Sequence, residues 1–161
     1  MTNLEKEQAY KNEATPYAMS QKIHGCFDLL FPHNKDEYAW IDVGAGSGLA
    51  LVEAYNAGYK ETVGLENNPD TTFISHEVAA DIQYISALDY PYEHHKKVIL
   101  YLFNPFSDKV MEKFVERIKG LEGFLIYLNP VHRQQLMFSH LKMSTLLDLG
   151  KFPCAIYRLG E

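Results

Sequence analysis

The chain has 161 residues, 47% of them hydrophobic and 22% charged, an ordinary globular composition within the size range of one domain. Fifteen Lys and Arg against 21 Asp and Glu leave a formal net charge of -6, so the overall positive field that non-specific nucleic-acid binding draws on is missing, and a nucleic-acid substrate is disfavoured without being excluded. The longest apolar run, Val98 to Phe103, falls far short of the ~20 residues that span a bilayer, and the polar start Met1 to Glu7 has no signal-peptide pattern; a cytoplasmic protein with no membrane association is expected.

Residues 1 to 13 are polar and carry no helical stripe. Thr15 with Pro16 then opens a predicted helix in which Ala18, Ile23, Phe27, Leu30 and Phe31 share roughly one face, and Pro32 stops it. Residues 1–37 are thus expected to form a helical segment packing on a core made by residues 38–161, within a single domain. Ala39 to Val43 is a short apolar run entering Gly44-Ala45-Gly46-Ser47-Gly48, and Leu49 to Tyr55 reads as a helix closed by Gly58. A second strand, Thr62 to Glu66, ends at Asn67-Asn68-Pro69-Asp70, and a brief helix follows, ending before Asp81.

Ile82 to Ile85 is a predicted third strand, and Lys97 to Phe103 a fourth whose unbroken apolar run suits burial on both faces of a parallel sheet. Ser107-Asp108 caps a helix with Val110, Phe114 and Ile118 at four-residue spacing, closed by Gly120. Phe124 to Leu128 is the fifth strand, leading through Asn129-Pro130 to a helix from about His132 to His140. In the tail, Leu146 to Gly150 and Ala155 to Leu159 read as two further strands, antiparallel to each other. Strands alternating with helices predict an α/β fold with a mostly parallel, doubly wound sheet covered by helices on both faces. In such sheets ligands bind beyond the carboxyl ends of the strands, near the point where strand order reverses.

The strongest local signal is therefore the turn after the first strand. Glycines at 44, 46 and 48 let the backbone turn tightly and let a ligand approach with no side chain in the way, and the next helix turns its N-terminal amides toward that ligand. A dinucleotide fingerprint needs glycine at the first, third and sixth positions, but the sixth is Leu49. A P-loop needs a closing Gly-Lys-Ser/Thr, which is absent as well. Asp42, just before the turn, would repel a pyrophosphate and suits a cationic or amino-bearing ligand. Glu66, 18 residues after Gly48, ends the second strand, where a carboxylate accepts hydrogen bonds from both hydroxyls of a ribose. A ligand with a ribose, no phosphate and a positively charged amino acid portion satisfies both acids.

These residues resemble the motifs of the class I, Rossmann-like S-adenosylmethionine-dependent methyltransferases: an acid with alternating glycines in Asp42-Val43-Gly44-Ala45-Gly46-Ser47-Gly48, and an acid ending the next strand in Val63-Gly64-Leu65-Glu66. Asn104-Pro105-Phe106 follows the fourth strand where that family places its catalytic or substrate-facing motif, so the resemblance covers roughly residues 38 to 130. It implies a seven-stranded sheet with an antiparallel C-terminal pair, and methyl transfer from S-adenosylmethionine, giving S-adenosylhomocysteine. The cofactor-binding set it implies is Asp42, Gly44, Ala45, Gly46, Ser47, Gly48, Glu66, Asn67, Ser86, Ala87, Leu88 and Asn104.

The family's third motif, usually acidic after the third strand, falls on Ser86-Ala87-Leu88-Asp89. Ser86 occupies the acidic position and Asp89 comes three residues later, so the amides of Ala87 or Leu88 read an adenine edge while either Ser86 or Asp89 reaches its amino group. Asn104-Pro105-Phe106 resembles a shortened form of the Asn-Pro-Pro-aromatic motif of enzymes that methylate planar amide or exocyclic amino nitrogens. That resemblance makes Asn104, Pro105 and Phe106 the catalytic residues and nitrogen the preferred acceptor, with the asparagine carbonyl orienting the target NH2 and the ring packing on a planar substrate. An Asn-Pro turn is equally a common structural stop.

Other features carry less. His132 and Arg133 read as solvated residues of a helix that Pro130 starts, His94-His95 as a solvated loop with no metal site, and Tyr17 as a core aromatic or part of a lid. Cys26 and Cys154 form no disulfide framework and read as packed thiols. A non-catalytic protein binding S-adenosylmethionine or a nucleoside, acting as a partner subunit or sensor, is the alternative to an enzyme. Seven strands and six helices of ordinary length use most of 161 residues. Accordingly, either the acceptor is small, or a homodimer or partner subunit completes the site; the expected acceptors are a small molecule or a protein.

Overall fold

The computed structural model describes residues 17–45, 48–67, 81–103, 105–130, 136–138, 140–149 and 152–160. All six residues of β1 (Tyr38–Val43) are buried, and because side chains alternate across a strand they divide between two apolar layers. Ala39, Ile41 and Val43 enter one cluster, Tyr38 and Trp40 the other. The same division runs through β4 (Lys97–Phe103), with Val98, Leu100 and Leu102 against Ile99 and Tyr101. It recurs in β5 (Gly123–Leu128), with Leu125 and Tyr127 against Phe124, Ile126 and Leu128. Strands buried on both faces need a covering layer on each side.

Helix α1 (Tyr17–Leu30) brings Met19, Ile23 and Phe27 to the second layer, and α2 (Leu49–Asn56) brings Ala50, Leu51 and Ala54. Helix α3 (Asp108–Arg117) covers the first with Met111, Phe114 and Val115. The remaining strands are β2 (Glu61–Leu65), β3 (Ile82–Gln83), β6 (Lys142–Asp148) and β7 (Pro153–Leu159). They complete a seven-stranded sheet ordered β3-β2-β1-β4-β5-β7-β6. Its first five strands are parallel, and β7 runs antiparallel to both β5 and β6. This is the doubly wound sheet with an antiparallel C-terminal pair that the sequence predicts. The chain runs outward from β1 to β3 and returns to β4, so the connections diverge between β1 and β4, and their carboxyl ends flank the crevice where such sheets bind ligands.

Several boundaries differ from the sequence reading. β3 pairs with β2 only through Gly64 and Ile82 and through Leu65 and Gln83, so it stops two residues early and leaves Tyr84 57% exposed. β6 begins four residues before Leu146, because its edge is built by pairing with β7 across a register shift between Met143 and Thr145. Leu136–Phe138 is a single 3-10 turn; the rest of the predicted 132–140 helix, apart from His140, and that before Asp81 lie outside the described residues, as do residues 1–16.

His95 is not solvated. Its Nδ1 lies 2.6 Å from a Glu61 carboxylate oxygen and its Nε2 2.7 Å from the Tyr90 hydroxyl, with the side chain 9% exposed. With the proton on Nδ1, it donates to Glu61 and accepts from Tyr90, tying the loop before β4 to the start of β2. His94 stays exposed. Cys154 is buried, and burial pushes its thiol up to about 12, as a packed thiol requires. Among the described residues no helix is long and apolar enough to cross a membrane.

Candidate functional site

Gly44 leaves β1 with a φ of 83°, a left-handed conformation that glycine adopts without steric cost. Its amide and that of Ala45 both donate to the Leu65 carbonyl at 2.9 Å, which fastens the turn to the end of β2. These two amides therefore hold the protein's own backbone. A Cβ on Gly44 would lie 3.1 Å from the Cβ of Pro105. The turn after β1 and the loop after β4 thus meet at the switch point, so close that a side chain at Gly44 would press on Pro105.

Beside this contact lies a cleft of about 250 Å3. Leu65, Glu66 and Asn67 line it from the end of β2, and Ile85, Ser86 and Ala87 from beyond β3. Pro105, Phe106 and Ser107 close the opposite side with Val110 of α3. Glu66 is half-buried and Asn67 exposed, and the Glu66 amide donates to the Gln83 carbonyl at 3.1 Å, so its backbone is held independently of its carboxylate. The Ser86 hydroxyl accepts from the Leu88 amide at 3.1 Å. Its carbonyl accepts from the amides of Asp89 and Tyr90 at 3.0 and 3.1 Å, and the Tyr92 hydroxyl donates to the Ala87 carbonyl at 2.7 Å. This wall is accordingly a braced turn. Across the cleft, the Phe106 ring lies 5.2 Å from Phe114 of α3.

Asp42, two residues before Gly44 in β1, is 4% exposed; burial foremost, and then the negative charge of Glu66, push its carboxyl up to about 7. The folded state keeps the Asp42 proton where the unfolded chain, with its ordinary value near 4, has released it. Asp42 alone is expected to lower the unfolding free energy of the ligand-free protein as pH rises from about 4 to about 7, while His24, whose pKa burial lowers to about 4, opposes it by adding stability over most of the same range. Asp42→Asn should remove the falling contribution, leaving stability that rises with pH between about 4 and 6.5 through His24, and should raise stability above pH 7, as read by denaturant unfolding across a pH series. An unaltered slope in the variant would assign the effect elsewhere.

Of the sequence-predicted residues, the structure brings Gly44, Glu66, Asn67, Ser86, Ala87, Pro105 and Phe106 into one cleft. Gly46, Ser47 and Asn104 lie outside the described residues. Asp42, Ala45, Gly48 and Leu88 do not line the wall. Asp42 and Ala45 are buried, Gly48 precedes α2 with a φ of 92°, and Leu88 packs on the first apolar layer. Between Ser86 and Asp89, Ser86 lines the cleft while Asp89 is exposed outside it. Sequence reasoning missed Leu65, Ile85, Ser107 and Val110 as lining residues. Ser107 had a usable signal, since it caps α3 by accepting from the Val110 amide at 3.4 Å, and a helix cap directly after a central strand lies at this edge. Among the described residues no group of His, Cys, Asp and Glu could hold a metal ion.

No protein-family model and no curated protein sequence matches the chain. Solved structures do. The chain is similar to a ribosomal protein L11 methylase from Lactobacillus delbrueckii subsp. bulgaricus, at 14% identity and a TM-score of 0.64 over 92% of this chain and 82% of that one. It is also similar to the N-methyltransferase NodS from Bradyrhizobium japonicum WM9, at 8% identity and a TM-score of 0.63 over 90% and 98%. The fold is that of the class I methyltransferases. Human N-acetylserotonin methyltransferase, in complex with SAM, is a third such likeness, at 13% identity and a TM-score of 0.56 over 88% of this chain and 55% of that one. At these identities the likeness is one of fold, and within the methyltransferase fold the cleft occupies the carboxyl edge at the β1–β4 switch point.

Proposed function

We propose that the chain is an S-adenosylmethionine-dependent methyltransferase acting on a nitrogen acceptor. The observation that carries the reading is Glu66, a half-buried carboxylate in the wall of a cleft at the switch point of this fold. A carboxylate there accepts from the two hydroxyls of a ribose. The volume of about 250 Å3 lies just below the usual range for ligand pockets, a fit for a nucleoside rather than a dinucleotide. Asp42 and Glu66 together make the site unfavourable for a pyrophosphate and favourable for a cation.

In this reading Glu66 holds the ribose, Ser86 and the Ala87 amide face the adenine edge, and Asp42 supplies negative charge beneath the amino acid portion from its buried position. A cationic ligand would draw the proton off Asp42, so affinity rises with pH through about 7. The bound sulfonium would supply the methyl group and a neutral thioether as leaving group. What remains for the protein is orientation: Asn104 and the carbonyl beside it accept from the acceptor NH2, Pro105 fixes that loop against Gly44, and Phe106 offers a ring face to a planar substrate, a small molecule or a protein side chain.

The test is thermal unfolding with S-adenosylhomocysteine and, separately, with NAD. At 100 times its Kd a ligand adds about 2.7 kcal/mol, a rise of roughly 5 to 10 °C for a domain of this size. S-adenosylhomocysteine is expected to produce it and NAD is not; no shift with S-adenosylhomocysteine at millimolar concentration overturns the reading. Transfer of labelled methyl groups to small-molecule and protein acceptors then separates an enzyme from a binding subunit or sensor.

A further inference from the structure

The turn beyond β3 spends its hydrogen-bond acceptors on itself. The Ser86 carbonyl accepts from the amides of Asp89 and Tyr90 at 3.0 and 3.1 Å, which uses both of its lone pairs. The Ala87 carbonyl accepts from the Tyr92 hydroxyl at 2.7 Å, and the Ser86 hydroxyl oxygen accepts from the Leu88 amide at 3.1 Å. What this bracing leaves over is of the other kind: the hydroxyl proton of Ser86 and the amide of Ala87, neither of which is used in holding the turn. Both residues line the cleft.

Charge is distributed in the same sense. Among the described residues Glu66 is the one charged group in the lining, and the other polar side chains there, Asn67, Ser86 and Ser107, are neutral. Asp89, the acid nearest in sequence to this wall, is exposed outside the cleft. A purine offers two kinds of group to such a wall. Its ring nitrogens N1 and N7 accept, whether or not position 6 carries an amino group. The 6-amino group itself donates, and a carboxylate would take it by a charge-assisted bond. A neutral hydroxyl whose oxygen already takes the Leu88 amide holds it far more weakly. Because Ser86 is half-buried, water reaches that hydroxyl, and it loses little when no amine is there to meet it.

We propose that Ser86 sets a relaxed base specificity: the turn reads the ring nitrogens through its donors, and the cleft admits purine nucleosides that lack the 6-amino group about as readily as adenine nucleosides. Selection then falls on the ribose, through Glu66, and on the amino acid portion. The proposal rests on the function proposed above. The opposing explanation is that an acceptor elsewhere in the cleft takes the amino group. Removing that group from the ligand separates the two, since a site built to hydrogen-bond a ligand group rejects the analogue without it.

The probes are S-adenosylhomocysteine and its counterpart with hydrogen in place of the 6-amino group, which keeps N1 and N7 as acceptors. Both are titrated calorimetrically against the full chain, Ser86→Asp and Ser86→Ala. The parent is expected to bind the two with Kd values within about threefold of each other. Ser86→Asp keeps one oxygen for the Leu88 amide, since Asp and Ser both form this kind of turn, and presents a second, charged oxygen to the base. It should melt near the parent temperature and prefer S-adenosylhomocysteine by about 30-fold or more. Ser86→Ala should leave the ratio of the two affinities where the parent has it. A parent preference for S-adenosylhomocysteine of about tenfold or more, a shifted ratio in Ser86→Ala, or a folded Ser86→Asp whose ratio equals that of the parent or which binds neither probe overturns the proposal and leaves the cofactor assignment standing. If the parent chain binds neither probe, the cofactor assignment fails first and this inference with it.

Discussion

Glu66→Gln is expected to weaken S-adenosylhomocysteine binding by about 30- to 100-fold with no loss of thermal stability. The glutamine keeps the shape of the side chain, and the backbone stays fixed by the bond from the Glu66 amide to Gln83, so the fold is not at risk. What changes is the acceptor: one neutral carbonyl replaces two charged oxygens that would each hold a ribose hydroxyl. Hydrogen bonds to charged groups contribute about 1.5 to 3 kcal/mol, so losing one and weakening the other removes on the order of 2 to 3 kcal/mol, which is the stated range in Kd. The same substitution has a second readout. The negative charge of Glu66 helps hold the Asp42 carboxyl above its ordinary value, and without it the Asp42 titration should move down. Calorimetric titration of the variant gives the first result and pH-dependent unfolding the second. An affinity equal to that of the parent would remove Glu66 from the site and with it the observation on which the function rests.

Gly123→Ala is expected to be strongly destabilising. Gly123 opens β5 with a φ of 139°, and a Cβ there would lie 1.8 Å from the Val98 carbonyl oxygen and 2.9 Å from the Val98 nitrogen. Those atoms are backbone of β4, paired with Gly123 in the ladder and tied to the adjacent Glu122 carbonyl by a 2.9 Å bond from the Val98 amide. No rotamer relieves such an overlap; the two central strands must separate. Overpacking and an unfavourable backbone together cost at least about 3 kcal/mol, a fall in Tm of roughly 10 °C. Gly120→Ala is the control, because Gly120 has a positive φ of 87° but nothing within 4 Å of the added carbon. It should cost about 1 to 2 kcal/mol from the backbone alone. Equal losses in the two variants, measured by denaturant unfolding, would show that the contact with Val98 contributes nothing.

Gly123 also marks a boundary between two kinds of information. The sequence alone predicts strand, turn and helix from Ala39 to Tyr55, the buried fourth strand and the helix capped by Ser107. Alternation with period two, glycine stops and side-chain caps all act within a few residues of themselves. For the same reason Glu66, Ser86 and Pro105 were legible as residues just after predicted strands, and that position carries the site in a doubly wound sheet.

The tertiary structure decided what depends on partners distant in the chain. β6 starts at Lys142 because β7 pairs with it there, and β3 is short because β2 offers it only two positions. The Gly44 and Ala45 amides, locally available to a ligand, are taken by Leu65. His95, polar in a polar loop, is held by Glu61, 34 residues earlier in the chain. Asp42 is buried within the central strand and does not line the cleft, and burial foremost raises its pKa. Local sequence determines which residues end each strand. Strand pairing and packing, which act between segments that no local pattern connects, determine which of those residues face one another across a cleft.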